Sequence, residues 1–127
     1  MTEIEYIQPS GVNEPYAHYS TVSRVDNRVY VSGLVSIDED GELLSKGDPR
    51  GQAVNVCRAL ETICRHFDCD LSRVVATTFY ITDPAHYQEA NAGYAEVFGD
   101  NKPSRATVVV DLTNPDLLVE LVSYIEL

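Results

Sequence analysis

The chain has 127 residues, a mass of 14.1 kDa and an apolar content of 44%, which suit one globular domain over residues 1–127 with its own core. The 9 basic and 20 acidic residues give a formal net charge of −11, and such a surface repels phosphate backbones, so we expect no nucleic-acid partner. No apolar run approaches the roughly 20 residues of a membrane span, and the first residues lack the features of a signal peptide. We therefore expect a cytoplasmic protein that does not associate with membranes.

Cysteine and histidine positions argue against a metal site. Cys57, Cys64 and Cys69 contain no C-x-x-C pair, and we expect them to be reduced residues of the core. The three histidines are dispersed without the spacing of metal ligands, so no metal is predicted.

The first half of the chain predicts two strands, a turn and a helix. Two β-rich runs, YSTVSRV and RVYVSGLVSI, flank Asp26-Asn27 and predict a hairpin. The segment DEDGE at 38–42 predicts a plain turn, because its carboxylates lack the ligand spacing of a calcium loop. Asp48-Pro49 signals the start of a helix, and apolar residues at helical spacing extend it to about His66.

The second half predicts a strand, a helix and two more strands. RVVATTFYIT is continuously apolar and predicts a central strand. Asp83-Pro84 signals a second helix that Gly99 can end. One face of this helix carries Tyr87, Asn91, Tyr94 and Phe98. RATVVVDL and LLVELVSYIEL are then expected to form a hairpin around the turn TNPD.

The element order ββαβαββ predicts an α+β fold in which both helices cover one face of a mixed sheet. The other face would carry Thr, Val and Tyr side chains and would be too apolar to leave in water. Further copies of the chain are the expected cover, so we predict a homo-oligomer.

Two charged residues interrupt the apolar pattern of the last two predicted strands. Arg105 shares a strand face with Thr107, and Glu120 lies within LLVELVSYI. The hairpin register places Arg105 opposite Tyr124, roughly 13 Å along the strand from Glu120. A structural ion pair, formed within the chain or with a neighbouring copy, remains one interpretation. The other is that the arginine binds a ligand carboxylate through its planar fork while the glutamate orients water on the same ligand.

These residues resemble the RidA/YjgF-like family of enamine/imine deaminases over nearly the whole chain. The resemblance is carried by YSTVSRVDNRVYVSG, by NAGY at 91–94, by PSRATV at 103–108 and by LLVELVSYI at 117–125. The family pattern P-x-R-x-x-V, with a glutamate fifteen residues after the arginine, is met by Arg105 and Glu120.

The resemblance implies a fold similar to bacterial chorismate mutase, assembled as a homotrimer with sites between subunits. It implies cofactor-free hydrolysis of reactive 2-imino or 2-enamino acids to 2-oxo acids and ammonia, and so a small-molecule carboxylate as substrate. Arg105 would anchor the substrate carboxylate, and Glu120 would position the attacking water.

Further substrate-binding residues are implied by the same resemblance. They are Tyr19, Ser32, Gly33, Asn91 and Thr107. Tyr16 is the alternative to Tyr19, because the family often has Pro-Tyr where this chain has EPYA. Thr107 stands where many bacterial members have cysteine, and R-x-T is similar to the 2-aminomuconate deaminase branch. That branch, or a regulatory member that binds small molecules without turnover, is the alternative function.

Overall fold

Six strands and two α-helices form the fold in the computed structural model, which describes residues 3–127. The strands are β1 (Glu5–Ile7), β2 (Val22–Val25), β3 (Arg28–Leu34), β4 (Val74–Ile81), β5 (Ser104–Val109) and β6 (Val119–Glu126). The helices are α1 (Pro49–His66) and α2 (Tyr87–Phe98), and two short 3₁₀ turns span Leu71–Arg73 and Pro84–His86. The fold is therefore α+β, as predicted.

All six strands belong to one sheet in the order β1-β2-β3-β6-β4-β5. β4 and β5 are parallel, and every other neighbouring pair is antiparallel, so the predicted mixed sheet is confirmed. The parallel pair depends on α2, because two parallel neighbours need a crossover connection that a helix can supply.

The predicted hairpin between the last two strands is wrong. β4 lies between β5 and β6, so Arg105 is opposite Thr77, and Tyr124 is opposite Ala76. Residues 110–118 carry the chain across the end of β4, from one of its neighbours to the other. Two backbone hydrogen bonds fix this crossing at the end of β4, from Val110 N to Ile81 O and from Thr82 N to Leu118 O.

Other local predictions are borne out, with small differences. Asp48 accepts a hydrogen bond from the Gly51 amide as the cap of α1, and α1 ends at His66. Asp83 caps the short 3₁₀ turn at Pro84–His86, which precedes α2, and does not cap α2 itself. The hairpin of β2 and β3 and the turn at 38–42 are present. The short strand β1 was not predicted.

The core lies between the helices and one face of the sheet. Along β6 it takes alternate residues, namely Val119, Leu121, Ser123 and Ile125, which are all at most 1% exposed. From α1 it takes Cys57 and Cys64, which are buried as predicted. Cys69 is only half-buried.

Within residues 3–127 the opposite face of the sheet has no helix over it, and we call it the open face. Tyr30 and Tyr124 lie there edge to face, with ring centroids 5.6 Å apart, and each is about two-fifths exposed. Neither α1 nor α2, the two α-helices within residues 3–127, has both the length and the apolar character of a membrane span.

Candidate functional site

Arg105 lies on β5, the strand at one edge of the sheet, and projects towards the helices. It is directly opposite Thr77, which is in turn opposite Ser123. Because directly opposed residues share a face of a sheet and both of these partners are buried in the core, Arg105 belongs to the helix-covered face.

Residues of α2 and β4 hold the Arg105 guanidinium. Its Nη2 donates hydrogen bonds to the Tyr87 hydroxyl at 3.1 Å and to Asn91 Oδ1 at 3.0 Å. Its Cζ lies 4.7 Å from the centroid of the Tyr94 ring and 5.8 Å from that of Phe79, which are cation–π distances. These contacts fix the orientation of the guanidinium through neutral groups.

Part of the guanidinium is left without a partner. Among residues 3–127, Nε and Nη1 of Arg105 have no hydrogen-bond acceptor, and neither ion pair found there involves this side chain. Two of the five N–H donors of the guanidinium are thus used, and the other three remain free for a ligand carboxylate.

Tyr94 is a rigid support for this arginine. Its hydroxyl and the Thr77 hydroxyl are hydrogen-bonded at 2.9 Å in the core, and its ring stacks on Phe98 with centroids 4.3 Å apart. Burial raises the pKa of Tyr94 above its ordinary value, so the phenol stays neutral at physiological pH.

A cavity of about 250 Å³ adjoins the arginine between the end of α2 and the start of β5. It is lined by Asn91, Tyr94, Ala95, Phe98, Gly99, Asn101, Lys102, Pro103 and Arg105. Lys102 is exposed and supplies a second positive charge to the same cavity.

Thr107 follows Arg105 on the same face of β5, and its backbone amide points away from β4. Backbone N–H groups alternate in direction along a strand, and the Val110 amide donates to Ile81 of β4. The amides of Val108 and Ala106 are therefore directed to β4, and that of Thr107 to the free edge of the sheet.

Glu120 lies on the open face, opposite Tyr80 of β4. Its neighbours in β6, Val119 and Leu121, are fully buried in the core, so alternation directs Glu120 away from the helices. Burial raises the pKa of this carboxyl above its ordinary 4.5. Within residues 3–127 the carboxylate receives no hydrogen bond, so it can accept one from water or a ligand.

A glycine in β3 makes room for this carboxylate. Gly33 lies where the register of β3 against β6 shifts, between Val31 and Leu34. A Cβ at this position would be 2.6 Å from Glu120 Oε2 and 2.7 Å from its Cδ, closer than real contacts allow. The glycine is therefore needed for this position of the glutamate.

Ser32 and both candidate tyrosines lie close to Gly33. The Ser32 hydroxyl donates to the Ser20 carbonyl at 2.6 Å. Tyr16 and Tyr19 are in edge-to-face contact, with centroids 6.1 Å apart, and both line a small cavity beside Ser32 and Gly33. Burial raises the pKa of Tyr19, followed by contributions from Tyr16 and Glu120, so this phenol lies within the electrostatic influence of the glutamate.

The residues of the site thus form two groups in one chain. We call Arg105, Asn91, Tyr87 and Tyr94 the arginine group, and Glu120, Gly33, Ser32 and Tyr19 the glutamate group. The two groups lie on opposite faces of the sheet, and one chain alone does not bring them together. Tyr87 and Tyr94 were not predicted as partners of Arg105. The sequence feature that could have identified them is the helix face that they share with Asn91.

Comparison with known proteins identifies the family. A family model described as Endoribonuclease L-PSP matches residues 11–126. The chain is a member of this family. It is 34% identical over 119 residues to RutC of Acinetobacter baylyi, which is named a 3-aminoacrylate deaminase, and the match covers 94% of each chain.

Solved structures of the family share the fold. RidA from an Antarctic Psychrobacter species is 26% identical, with a TM-score of 0.87, and the match covers 97% of this chain and 99% of that one. YyfA of Yersinia pestis, a Rid-family protein, has a TM-score of 0.89 at 24% identity, with coverage of 98% and 100%. The resemblance to RidA/YjgF proteins is thereby confirmed.

Proposed function

We propose that the chain is a cofactor-free deaminase that hydrolyses 2-imino and 2-enamino acids to 2-oxo acids and ammonia. The observation that carries the proposal is the Arg105 guanidinium, which is held by neutral groups and keeps free donors. The relative RutC is named a 3-aminoacrylate deaminase, which supports hydrolytic deamination of enamino acids in general, since that substrate carries its nitrogen on C3.

The arginine group binds the substrate carboxylate. Nε and Nη1 of Arg105 are the donors left free for it, and the outward amide of Thr107 supplies a further hydrogen bond. Because the imine carbon is bonded directly to this carboxylate carbon, fixing the carboxylate also fixes the reacting atom. Such positioning lowers the barrier by proximity.

Glu120 acts as the general base for the attacking water. The imine reacts in its N-protonated form, and the Glu120 carboxylate accepts a proton as the water oxygen attacks the imine carbon, which gives a carbinolamine. Glu120 then returns this proton to the nitrogen. As the C–N bond breaks, the carbinolamine hydroxyl gives its proton back to Glu120, and ammonia and a 2-oxo acid are released. Because desolvation raises its pKa, Glu120 is a stronger base than a solvated glutamate, and proton transfer of this kind contributes about 10²- to 10⁴-fold in rate.

A second copy of the chain completes the site. β5 is an edge strand, so the arginine group of one copy can approach the open face of another, where the glutamate group lies. The same contact covers the exposed tyrosines of that face. We propose that three copies joined by this contact form a closed ring, which is the homotrimer that the resemblance implies.

A larger substrate with two carboxylates is the second candidate, and Lys102 is the observation that favours it. The cavity of about 250 Å³ beside Arg105 can take more than a three- or four-carbon acid, and Lys102 lines it as a second cation. 2-Aminomuconate has this charge pattern.

Two other functions have less support. RNA cleavage, which the family description names, requires attraction to a polyanion, and a formal net charge of −11 opposes it. A module that only binds carboxylates needs the arginine group but has no use for a desolvated, unpaired glutamate.

Ammonia release from 2-iminobutanoate and 2-aminomuconate, generated in situ and corrected for spontaneous hydrolysis, tests the proposal. We expect turnover of at least one substrate, and a loss of about 10- to 100-fold in kcat/KM for Arg105→Lys, which keeps the charge but loses the fork. Arg58→Ala is the control, since this arginine forms an exposed ion pair on α1. Wild-type turnover by Arg105→Lys, or no turnover of either substrate, would contradict the proposal.

A further inference from the structure

Two of the three cysteines lie at the end of α1 in a Schellman motif. The Asp68 amide donates to Arg65 O and the Cys69 amide donates to Cys64 O, each at 3.0 Å. Asp68 has a φ of +56°, the left-handed residue that this motif requires after the helix. In a Schellman motif the two residues joined by the longer hydrogen bond frequently make a hydrophobic side-chain contact, and here both are cysteines.

The backbone geometry suits a covalent bond between these side chains. A carbonyl oxygen and an amide nitrogen 3.0 Å apart limit the separation of the two Cα atoms to at most about 7 Å. Disulfides span roughly 4.4–6.8 Å between Cα atoms. The two Cα atoms are therefore already close enough for a disulfide, so no refolding of the helix end is needed to join the side chains.

The two thiols differ in access to solvent. Cys64 is fully buried, and Cys69 is half-buried. A partly exposed thiol can react with an oxidant, and a buried thiol beside it can then attack the oxidised sulfur to form a disulfide. Cys57 is equally buried but lies two helical turns before Cys64, about 10 Å along the axis, and is outside bonding distance.

We propose that Cys64 and Cys69 form a reversible intrachain disulfide when the protein meets a peroxide. In the first step the Cys69 sulfur attacks hydrogen peroxide, which gives a sulfenic acid and releases one water. The Cys64 sulfur then attacks the Cys69 sulfur, the S–O bond breaks, and a second water leaves. Two thiols are oxidised and one peroxide is reduced, and a thiol reductant reverses the result. This site is independent of the proposed deaminase function.

The reaction is expected to be slow compared with that of a peroxidase thiol. Burial, with further contributions from Cys69 and nearby acidic side chains, raises the pKa of Cys64 to about 12. Burial also raises the pKa of Cys69, although the neighbouring Cys64 thiol opposes this effect. The thiolate is the nucleophile, and a raised pKa leaves little of it at neutral pH. The oxidation therefore needs millimolar peroxide and an incubation of minutes to hours.

Tryptic mapping of the folded protein after peroxide treatment is a direct test. Trypsin cleaves after Arg58, Arg65 and Arg73, so Cys57, Cys64 and Cys69 fall on three different peptides. After denaturation and alkylation of the remaining thiols, we expect peptides 59–65 and 66–73 to be covalently joined, with the loss of two hydrogen atoms. Dithiothreitol should separate them.

Matched variants complete the test. Cys57→Ala is expected to keep the cross-linked peptide pair, whereas Cys69→Ala is expected to lose it while circular dichroism shows a folded chain. The proposal is overturned if wild-type Cys69 gains oxygen atoms without cross-linking, or if Cys57 is joined to another cysteine as often as Cys64 is joined to Cys69.

Discussion

Arg105 and Glu120 project from opposite faces of one sheet, on strands that are separated by β4. The arginine lies against the aromatic side chains beneath α2, and the glutamate lies over Gly33 on the open face. A ligand bound to both must therefore contact two copies of the chain. This relationship makes assembly a condition of the proposed activity.

Substitutions at Tyr94 should separate the role of its ring from that of its hydroxyl. Tyr94→Leu removes the cation–π support of Arg105 and should raise KM by roughly 3- to 30-fold. Tyr94→Phe keeps the ring but leaves the buried Thr77 hydroxyl without its partner, so it should lower the free energy of unfolding by about 1 kcal/mol with near-normal KM. Steady-state kinetics and urea denaturation measure the two effects. Equal KM values for the two variants would contradict the supporting role of the ring.

Gly33→Ala should impair catalysis more than folding. The new Cβ would collide with the Glu120 carboxylate, which is the end of a flexible side chain and can move aside at little cost to stability. A displaced carboxylate should lower kcat by up to about 100-fold, with little change in melting temperature. The double variant Gly33→Ala/Glu120→Asp should recover part of the rate, since the shorter acid relieves the collision. Loss of folding in Gly33→Ala, or no recovery in the double variant, would count against this explanation.

The pH dependence of kcat/KM should report Glu120. Its carboxylate must be ionised to act as a base, and its pKa is raised by burial, so the rate should fall on the acid side at a pH above the ordinary 4.5 of glutamate. Glu120→Gln should be slow and should lack this acid limb. An unchanged acid limb in Glu120→Gln would assign the titration to another group.

The same raised pKa predicts a gain in stability for Glu120→Gln. A carboxyl whose pKa is higher in the folded state binds its proton more tightly there, so ionisation at neutral pH opposes folding. Glu120→Gln should therefore melt at a higher temperature than the wild type at pH 7. The difference should shrink as the pH falls through the folded-state pKa and should vanish below the unfolded-state pKa. Thermal melts at several pH values check the sign, and a lower melting temperature at pH 7 would contradict it.

Local sequence signals predicted the elements better than their pairing. Asp48-Pro49 fixed the start of α1, since a capping carboxylate and a proline at the first helical position act within one turn. The pairing of β5 depends on contacts across the whole sheet. Short spacing between β5 and β6 favoured a hairpin, but α2 places β5 parallel to β4, and β6 inserts between β3 and β4. No local pattern encodes that insertion.

The residues of the arginine and glutamate groups could be predicted in part from the sequence, but the placement of the two groups relative to each other could not. Arg105 and Glu120 stand out because each breaks an apolar strand pattern. Their placement on opposite faces follows from strand register. Because β4 lies between β5 and β6, the register expected for a direct hairpin does not apply. The aromatic surroundings of Arg105 could have been inferred, because Tyr87 and Tyr94 flank Asn91 on one helix face.

Mixing two inactive variants tests the shared site most directly. Arg105→Ala and Glu120→Ala chains, denatured together in equal amounts and refolded, should form mixed oligomers in which some interfaces join an intact arginine group to an intact glutamate group. For random assembly into closed rings we expect roughly a quarter of the wild-type activity, with each variant inactive when refolded alone. Native mass spectrometry checks that mixed oligomers form. Mixed oligomers without activity would show that Arg105 and Glu120 do not act across an interface between two copies.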